Sequence, residues 1–268
     1  MIWLVFLGAA LAGLGLWQWR VRSRRARRAA LLSQRLTDAE RAVVQERVPL
    51  TARMPSALLE RLEGKMVLLM DQVKFYGAGG LEVTDEMQLT IAAQACILVA
   101  GNQDWYETLR TIIIYPGAFK SRQPVQDGYV VTERDAVRIG ESWSRGPVIL
   151  SWADSERGAF VDDDGHNVVF HEFAHQLDDA SGAVDGFPVV GARAAAWAEA
   201  FDEAFERANR LLDIGKRPFL DPYGATAPEE MFAVAVEAFF ETPREMAHEE
   251  PALYRELSAY FRQDPAAW

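Results

Sequence analysis

His171-Glu172-Phe173-Ala174-His175 sets two imidazoles four residues apart with a glutamate beside the first. On a helix of 3.6 residues per turn, positions i and i+4 stack on one face, so both rings reach one point next to Glu172. Two neutral nitrogen donors on one rigid element, with a carboxylate able to take a proton from a metal-activated water, are the parts of a catalytic zinc site. The chain has only four histidines in 268 residues, and a chance match to this pattern at such a histidine content is on the order of one in a hundred. The flanks agree with a helix here. Asp163-Asp164-Gly165 reads as a turn, Asn167 as an N-cap and Ser181-Gly182 as a stop, which predicts a helix over residues 168 to 179.

Such a site needs a third protein ligand and one open position. No Gly-x-x-His follows His175, which argues against a metzincin. A second helix supplies better candidates. Thr226-Ala227-Pro228-Glu229 combines a capping-box pattern with a first-turn proline, and the run from Pro228 to Phe240 has helical spacing. Within that apolar run Glu230 and Glu237 stand seven apart, on one face and about 10 Å from each other along the axis. Only one of them can bind the same ion directly, leaving the other to hold a histidine ring or cap a neighbouring group. Spacing alone does not choose between them.

These residues, with Thr84-Asp85-Glu86-Met87, residues 91–96 (IAAQAC), Tyr115-Pro116 with Phe119, Leu150-Ser151-Trp152, residues 167–178 (NVVFHEFAHQLD), residues 228–234 and Phe239-Phe240, give the chain a likeness that spans roughly residues 45 to 265. It resembles the Mlc titration factor A family of zinc peptidases. The resemblance implies a zincin-like fold, one Zn2+ ion held by His171, His175 and Glu230, a supporting role for Glu237, and catalysis by Glu172 and Tyr223. It implies hydrolysis of peptide or protein substrates, with aminopeptidase action among the activities it suggests. Tyr223 lies in Asp221-Pro222-Tyr223-Gly224, a turn from which a phenol could meet the oxyanion of a tetrahedral intermediate. The resemblance also makes the strand read at Val148 to Trp152 an edge that pairs with extended substrate.

The elements that must position this set follow from periodicity. Helical spacing runs over residues 58–72, 84–99, 168–179, 193–213, 228–240 and 251–262, and strand-like runs over 111–115, 128–132 and 148–152. The expected class is α+β, mainly helical, with a small sheet packed on the active-site helix. Asp85 is the expected cap of the second helix. Cys96, the one cysteine, sits in an apolar helical stretch and reads as core; alone it forms no internal disulfide and excludes a Cys-rich metal site.

Residues 2–19 carry no charge and as a helix would span about 27 Å, close to the roughly 30 Å of a bilayer's hydrocarbon. Arg20, Arg22, Arg24, Arg25, Arg27 and Arg28 follow, with no acidic residue before them. The expected organisation is a transmembrane anchor over 1–19, a basic juxtamembrane segment and helical stalk over 20–47, and a zinc peptidase domain over 48–268. By the positive-inside rule the protein would be a single-pass protein of the inner membrane with its domain in the cytoplasm. Without those six arginines, 22 basic face 39 acidic side chains, a net charge near -17, which disfavours nucleic acid as a partner.

Two function classes follow. The first is a membrane-anchored zinc peptidase. The second is a regulatory binding protein that sequesters a transcriptional repressor, as the resembled family's name suggests, independently of peptidase activity. Glu172→Gln separates them: it should abolish peptide hydrolysis while keeping zinc, whereas a pure binding role would survive both that change and His171→Ala.

Overall fold

The computed structural model describes the backbone of residues 2–127, 130–138, 140–142 and 146–268, and the side chains of residues 13–118 and 146–268. A small sheet backs the site. β1 (Lys74–Gly77), β2 (Thr111–Tyr115) and β6 (Val148–Ser151) run parallel, and β5 (Gly140–Ser142) pairs antiparallel with β6, in the order β1-β2-β6-β5. Ile112 pairs with Val148 and Ile114 with Leu150, and all four are fully buried, the period-2 face of half-buried strands. β3 (Phe119–Asp127) and β4 (Val130–Arg138) form a separate hairpin. Of the strand expected over 128–132, residues 130–132 fall in β4 and Gly128 and Tyr129 lie outside the described residues.

One expectation for the sheet is corrected. β6 is not an edge: its ladder is engaged by β2 on one side and β5 on the other, so it offers no free strand to a peptide. An apolar run reports burial but not which neighbours provide it.

The helices enclose one core. α3 (Ser56–Gln72) packs on α4 (Asp85–Val99), which is buried without interruption from Leu89 to Val99. Thr84, not Asp85, caps α4, accepting the Met87 N–H at 3.2 Å. β6 runs straight into α5 (Trp152–Phe160), with Ser151 as the shared cap. α6 (Val168–Asp178) carries both site histidines and packs between α4 and α8 (Pro228–Glu241). Phe170 meets Phe240 at 5.4 Å and Phe173 meets Tyr106 edge-on at 4.8 Å, so the apolar face of α6 is fixed on both flanks. α7 (Ala194–Asp213) adds Trp197, Phe201, Ala204 and Ala208 from a single stripe, and α9 (Pro243–Glu249) and α10 (Pro251–Phe261) close the far side.

α8 begins with Pro228 in its first turn and Ala227 as N-cap, with no side-chain cap bond. The capping box expected from Thr226 does not form, because the Thr226 hydroxyl donates to the Tyr223 carbonyl instead, at 2.6 Å. That bond ties down the turn ahead of α8 rather than α8 itself.

The N-terminal region departs most from expectation. α1 (Ile2–Leu32) is one continuous helix, and its end docks on α3, where a Cβ at Gly64 would meet the Leu32 carbonyl oxygen at 2.1 Å. Arg27 pairs with Asp71, Arg28 pairs with Glu107, and the Arg28 guanidinium lies over the Trp105 ring. Among the described residues no helix is long and apolar enough to cross a membrane. The transmembrane helix expected over 2–19 is therefore unsupported: from Gly13 onward α1 carries six arginines, and the side chains of residues 2–12 lie outside those described. The segment read as a stalk turns at 33–37 and forms α2 (Asp38–Arg47), which a Thr37–Glu40 capping box starts. Leu36 and Val44 of this segment are buried in the core.

Candidate metal centre

α6 starts at a junction. The Asn167 carbonyl oxygen Oδ1 accepts the Phe170 N–H at 3.0 Å, while Nδ2 donates to Gln94 Oε1 of α4 at 3.0 Å and to the Gly158 carbonyl of α5 at 2.9 Å. Its backbone N–H donates to Glu237 Oε2 of α8 at 2.6 Å. Four bonds to four elements fix where the helix begins, and the histidines follow at its first and second turns.

Three of the five residues singled out in the sequence converge. His171 Nε2 and His175 Nε2 lie 3.3 Å apart, Glu230 Oε2 lies 3.0 Å from the first and 3.5 Å from the second. Within this cluster all three offer a ligand atom to one common space. Donors about 2.05 Å from a shared ion at tetrahedral angles are about 3.3 Å apart. The three separations bracket that value, so the donor set fits a small divalent cation.

Glu237, the other carboxylate on this face of α8, does not reach that space. Its Oε1 lies 2.8 Å from His171 Nδ1. An ionised carboxylate only accepts, so Nδ1 carries the proton and Nε2 presents its lone pair toward Glu230. Two acceptors that face each other at 3.0 Å repel unless a cation or a proton lies between them. Burial opposes a charged His171, but hydrogen bonds to Glu230 and Glu237 outweigh it and hold its pKa well above the usual histidine range. Burial likewise opposes the Glu230 carboxylate, and the two histidines overcome it, holding the group well below the usual carboxylate range. The site is thus built to hold positive charge between these groups.

Glu172 is buried on α6 beside this cluster. Tyr223 sits in a 3-10 turn over Pro222–Thr226, half exposed, with its phenol donating to Glu230 Oε1 at 3.2 Å and its ring 6.0 Å from that of His171. The turn lies hard against α8: a Cβ on Gly224 would come within 2.5 Å of Val234 Cγ2 and 3.3 Å of Met231 Cα. All five predicted site residues therefore fall in one region. The site histidines and Glu230 are each between a tenth and a fifth exposed, which leaves the cluster open on one side.

Several contributors were not read from the sequence. Its sequence position marks Asn167 as a cap but gives no sign of its three lateral bonds. Glu241, 3% exposed, accepts the His166 N–H at 2.9 Å, and its position four residues after Glu237 was the available signal. Asp221 caps the turn of Tyr223 by accepting its N–H at 2.7 Å, which the Asp-Pro-x-Gly pattern could have suggested.

Comparison with known proteins agrees with this architecture. The family model for the glucose-regulated metallo-peptidase M90 matches residues 19–262. An uncharacterized protein of Synechocystis sp. is 42% identical over 233 residues, covering 84% of this chain and 83% of that protein. Mlc titration factor A of Klebsiella pneumoniae is 32% identical over 227 residues, covering 82% and 84%, and that of Yersinia pestis is 31% identical over 226 residues, covering 82% and 83%.

Proposed function

Because the chain belongs to the family of glucose-regulated metallo-peptidases M90, we propose that it hydrolyses peptide bonds at one zinc ion held by His171, His175 and Glu230, with Glu172 as general base. The observation that carries this reading is the spacing of the three donors, 3.0, 3.3 and 3.5 Å, together with the carboxylate that sets the tautomer of His171. When bound, zinc supplies Lewis acidity, which polarises a carbonyl and eases loss of a proton from water.

The chain's own residues do the rest. Glu172 takes the proton of the attacking water and passes it to the leaving nitrogen, and its burial keeps that transfer out of bulk solvent. The Tyr223 phenol, held beside Glu230, turns its hydrogen bond toward the oxygen that gains charge in the transition state. Glu237 keeps His171 in the tautomer whose Nε2 can donate a lone pair.

The test is metal content and turnover of an unblocked and an amino-terminally blocked peptide, before and after chelation. Glu172→Gln should keep its zinc while turnover falls by about 10²- to 10⁴-fold. A variant that keeps its hydrolysis overturns the reading. Loss of the unblocked peptide's turnover alone would mark an aminopeptidase.

A second reading comes from relatives named Mlc titration factor A, a name that suggests capture of a repressor. Such binding would survive both Glu172→Gln and chelation, which pull-down of the repressor would reveal. Placement at the cytoplasmic face of the inner membrane is a further proposal, supported by the uncharged residues 2–19 followed by six arginines. Fractionation of the full chain against one starting at residue 30 decides it: both in the soluble fraction would end it.

A further inference from the structure

His166 is the histidine nearest the site that the proposed chemistry leaves unused. Its backbone N–H is shared between Asp164 Oδ1 at 3.0 Å and Glu241 Oε2 at 2.9 Å. Glu241 is buried at the end of α8, so the backbone of His166 is fixed to the helix that carries Glu230. From that fixed point the imidazole Nδ1 lies 3.7 Å from Asp221 Oδ2. The other oxygen, Asp221 Oδ1, accepts the Tyr223 N–H at 2.7 Å and closes the turn that presents the phenol.

That turn is held at its base by the close approach of Gly224 to α8 and by the bond from Thr226 to the Tyr223 carbonyl. Its N-terminal side depends on Asp221, whose carboxylate must keep one orientation for Oδ1 to cap the turn. His166 Nδ1 stands within ion-pair reach of Oδ2, though beyond hydrogen-bond length, and a cation at that distance favours this orientation. We propose that His166 is a positioning residue: through Asp221 it holds the turn so that the Tyr223 phenol stays within hydrogen-bonding reach of Glu230.

The inference rests on the role given to Tyr223 above, and its test separates the two. The full chain, loaded with zinc, is labelled with 3-fluorotyrosine, and the Tyr223 resonance is assigned by its loss in Tyr223→Phe. In His166→Ala that resonance should shift and broaden while the other tyrosines stay put. The value of kcat should fall by about two- to five-fold, as expected for a partly exposed pair, with KM and metal content unchanged. His166→Lys, which keeps a cation, should restore most of both signals, and in a Tyr223→Phe background His166→Ala should cost nothing more.

An unmoved Tyr223 resonance in His166→Ala overturns the inference, as does an equal loss of kcat in the Tyr223→Phe background. If instead the resonance moves but Tyr223→Phe leaves turnover intact, the positioning stands and the catalytic role of the phenol falls.

Discussion

Glu237→Gln tests how far the metal centre depends on a group that stands outside it. The Glu237 side chain is 8% exposed and accepts two hydrogen bonds, from His171 Nδ1 at 2.8 Å and from the Asn167 N–H at 2.6 Å. A carboxamide offers one oxygen and one NH2, so it can accept from only one of these donors and must turn its own donor toward the other. If it keeps Asn167, His171 loses the acceptor that fixes its tautomer and ring angle. Losing one buried charge-assisted bond costs about 1–3 kcal/mol, which at 1.4 kcal/mol per tenfold is about 5- to 150-fold in zinc affinity. This brackets the 10- to 100-fold that loss of such a supporting carboxylate typically costs. Competition for zinc against a chromophoric chelator measures it directly. The gap between melting temperatures in excess zinc and in chelator should shrink in parallel, because only bound metal stabilises the folded state. A folded Glu237→Gln that binds zinc within twofold of the parent would refute the reasoning.

Three further outcomes follow from the same geometry. Tyr223→Phe should lower kcat by about 10²-fold with zinc content intact, as for loss of one oxyanion donor; a drop below tenfold would remove the phenol from the mechanism. Gly224→Ala places a Cβ 2.5 Å from Val234 Cγ2, and should cost about 1–3 kcal/mol of stability while displacing Tyr223, so melting temperature and kcat fall together and metal binding does not. For Glu241, burial, aided by the nearby Glu237 and Asp164, pushes the carboxyl from 4.5 up to about 9 against the opposing Asn167 and His166 hydrogen bonds. A folded pKa above the unfolded value means that the native state holds the extra proton. This contribution is complete below about 4.5 and is lost as pH rises toward about 9. The melting temperature, read in chelator, should therefore fall between pH 6 and pH 9, and Glu241→Gln should flatten that slope; an unchanged slope would refute it.

Much of the fold was legible in the sequence because its helices are long and cleanly punctuated. The helix through both histidines, the 20-residue α7 and the proline-led α8 lie within a residue or two of where periodicity put them. Misreadings arose where two local signals competed. Thr84 and Asp85 are both good caps, and only the backbone angle at Thr84 decides. Thr226 has the right residue type for a cap, but its hydroxyl is taken by Tyr223. β1 is too short to show a period, and α5 was hidden because its cap, Ser151, also ends a strand.

The site was legible to the same degree and no further. Residues four apart on one helix must share a face, so the histidine pair follows from local geometry. Glu230 and Glu237 share a face just as firmly, and spacing could not say which meets the imidazole lone pairs and which meets the ring proton. That depends on how α8 is set along α6, which is a matter of Phe170 against Phe240 and of the Asn167 junction. The bonds of Glu241, Asp221 and His166 span 75 or 55 residues of chain where they join α8 or the tyrosine turn to the entry of α6, beyond the reach of any local pattern.

The placement of Glu230, Glu237 and Glu241 on one side of α8 ties three jobs to a single rod: facing the two histidines with the proposed third ligand, aiming an imidazole and anchoring the start of α6. A slip of α8 by one residue would turn all three carboxylates away by about 100° at once. The centre cannot loosen piecemeal, so release of the ion on warming should coincide with detachment of α8, and a peptidase of this build would lose its activity abruptly rather than by degrees.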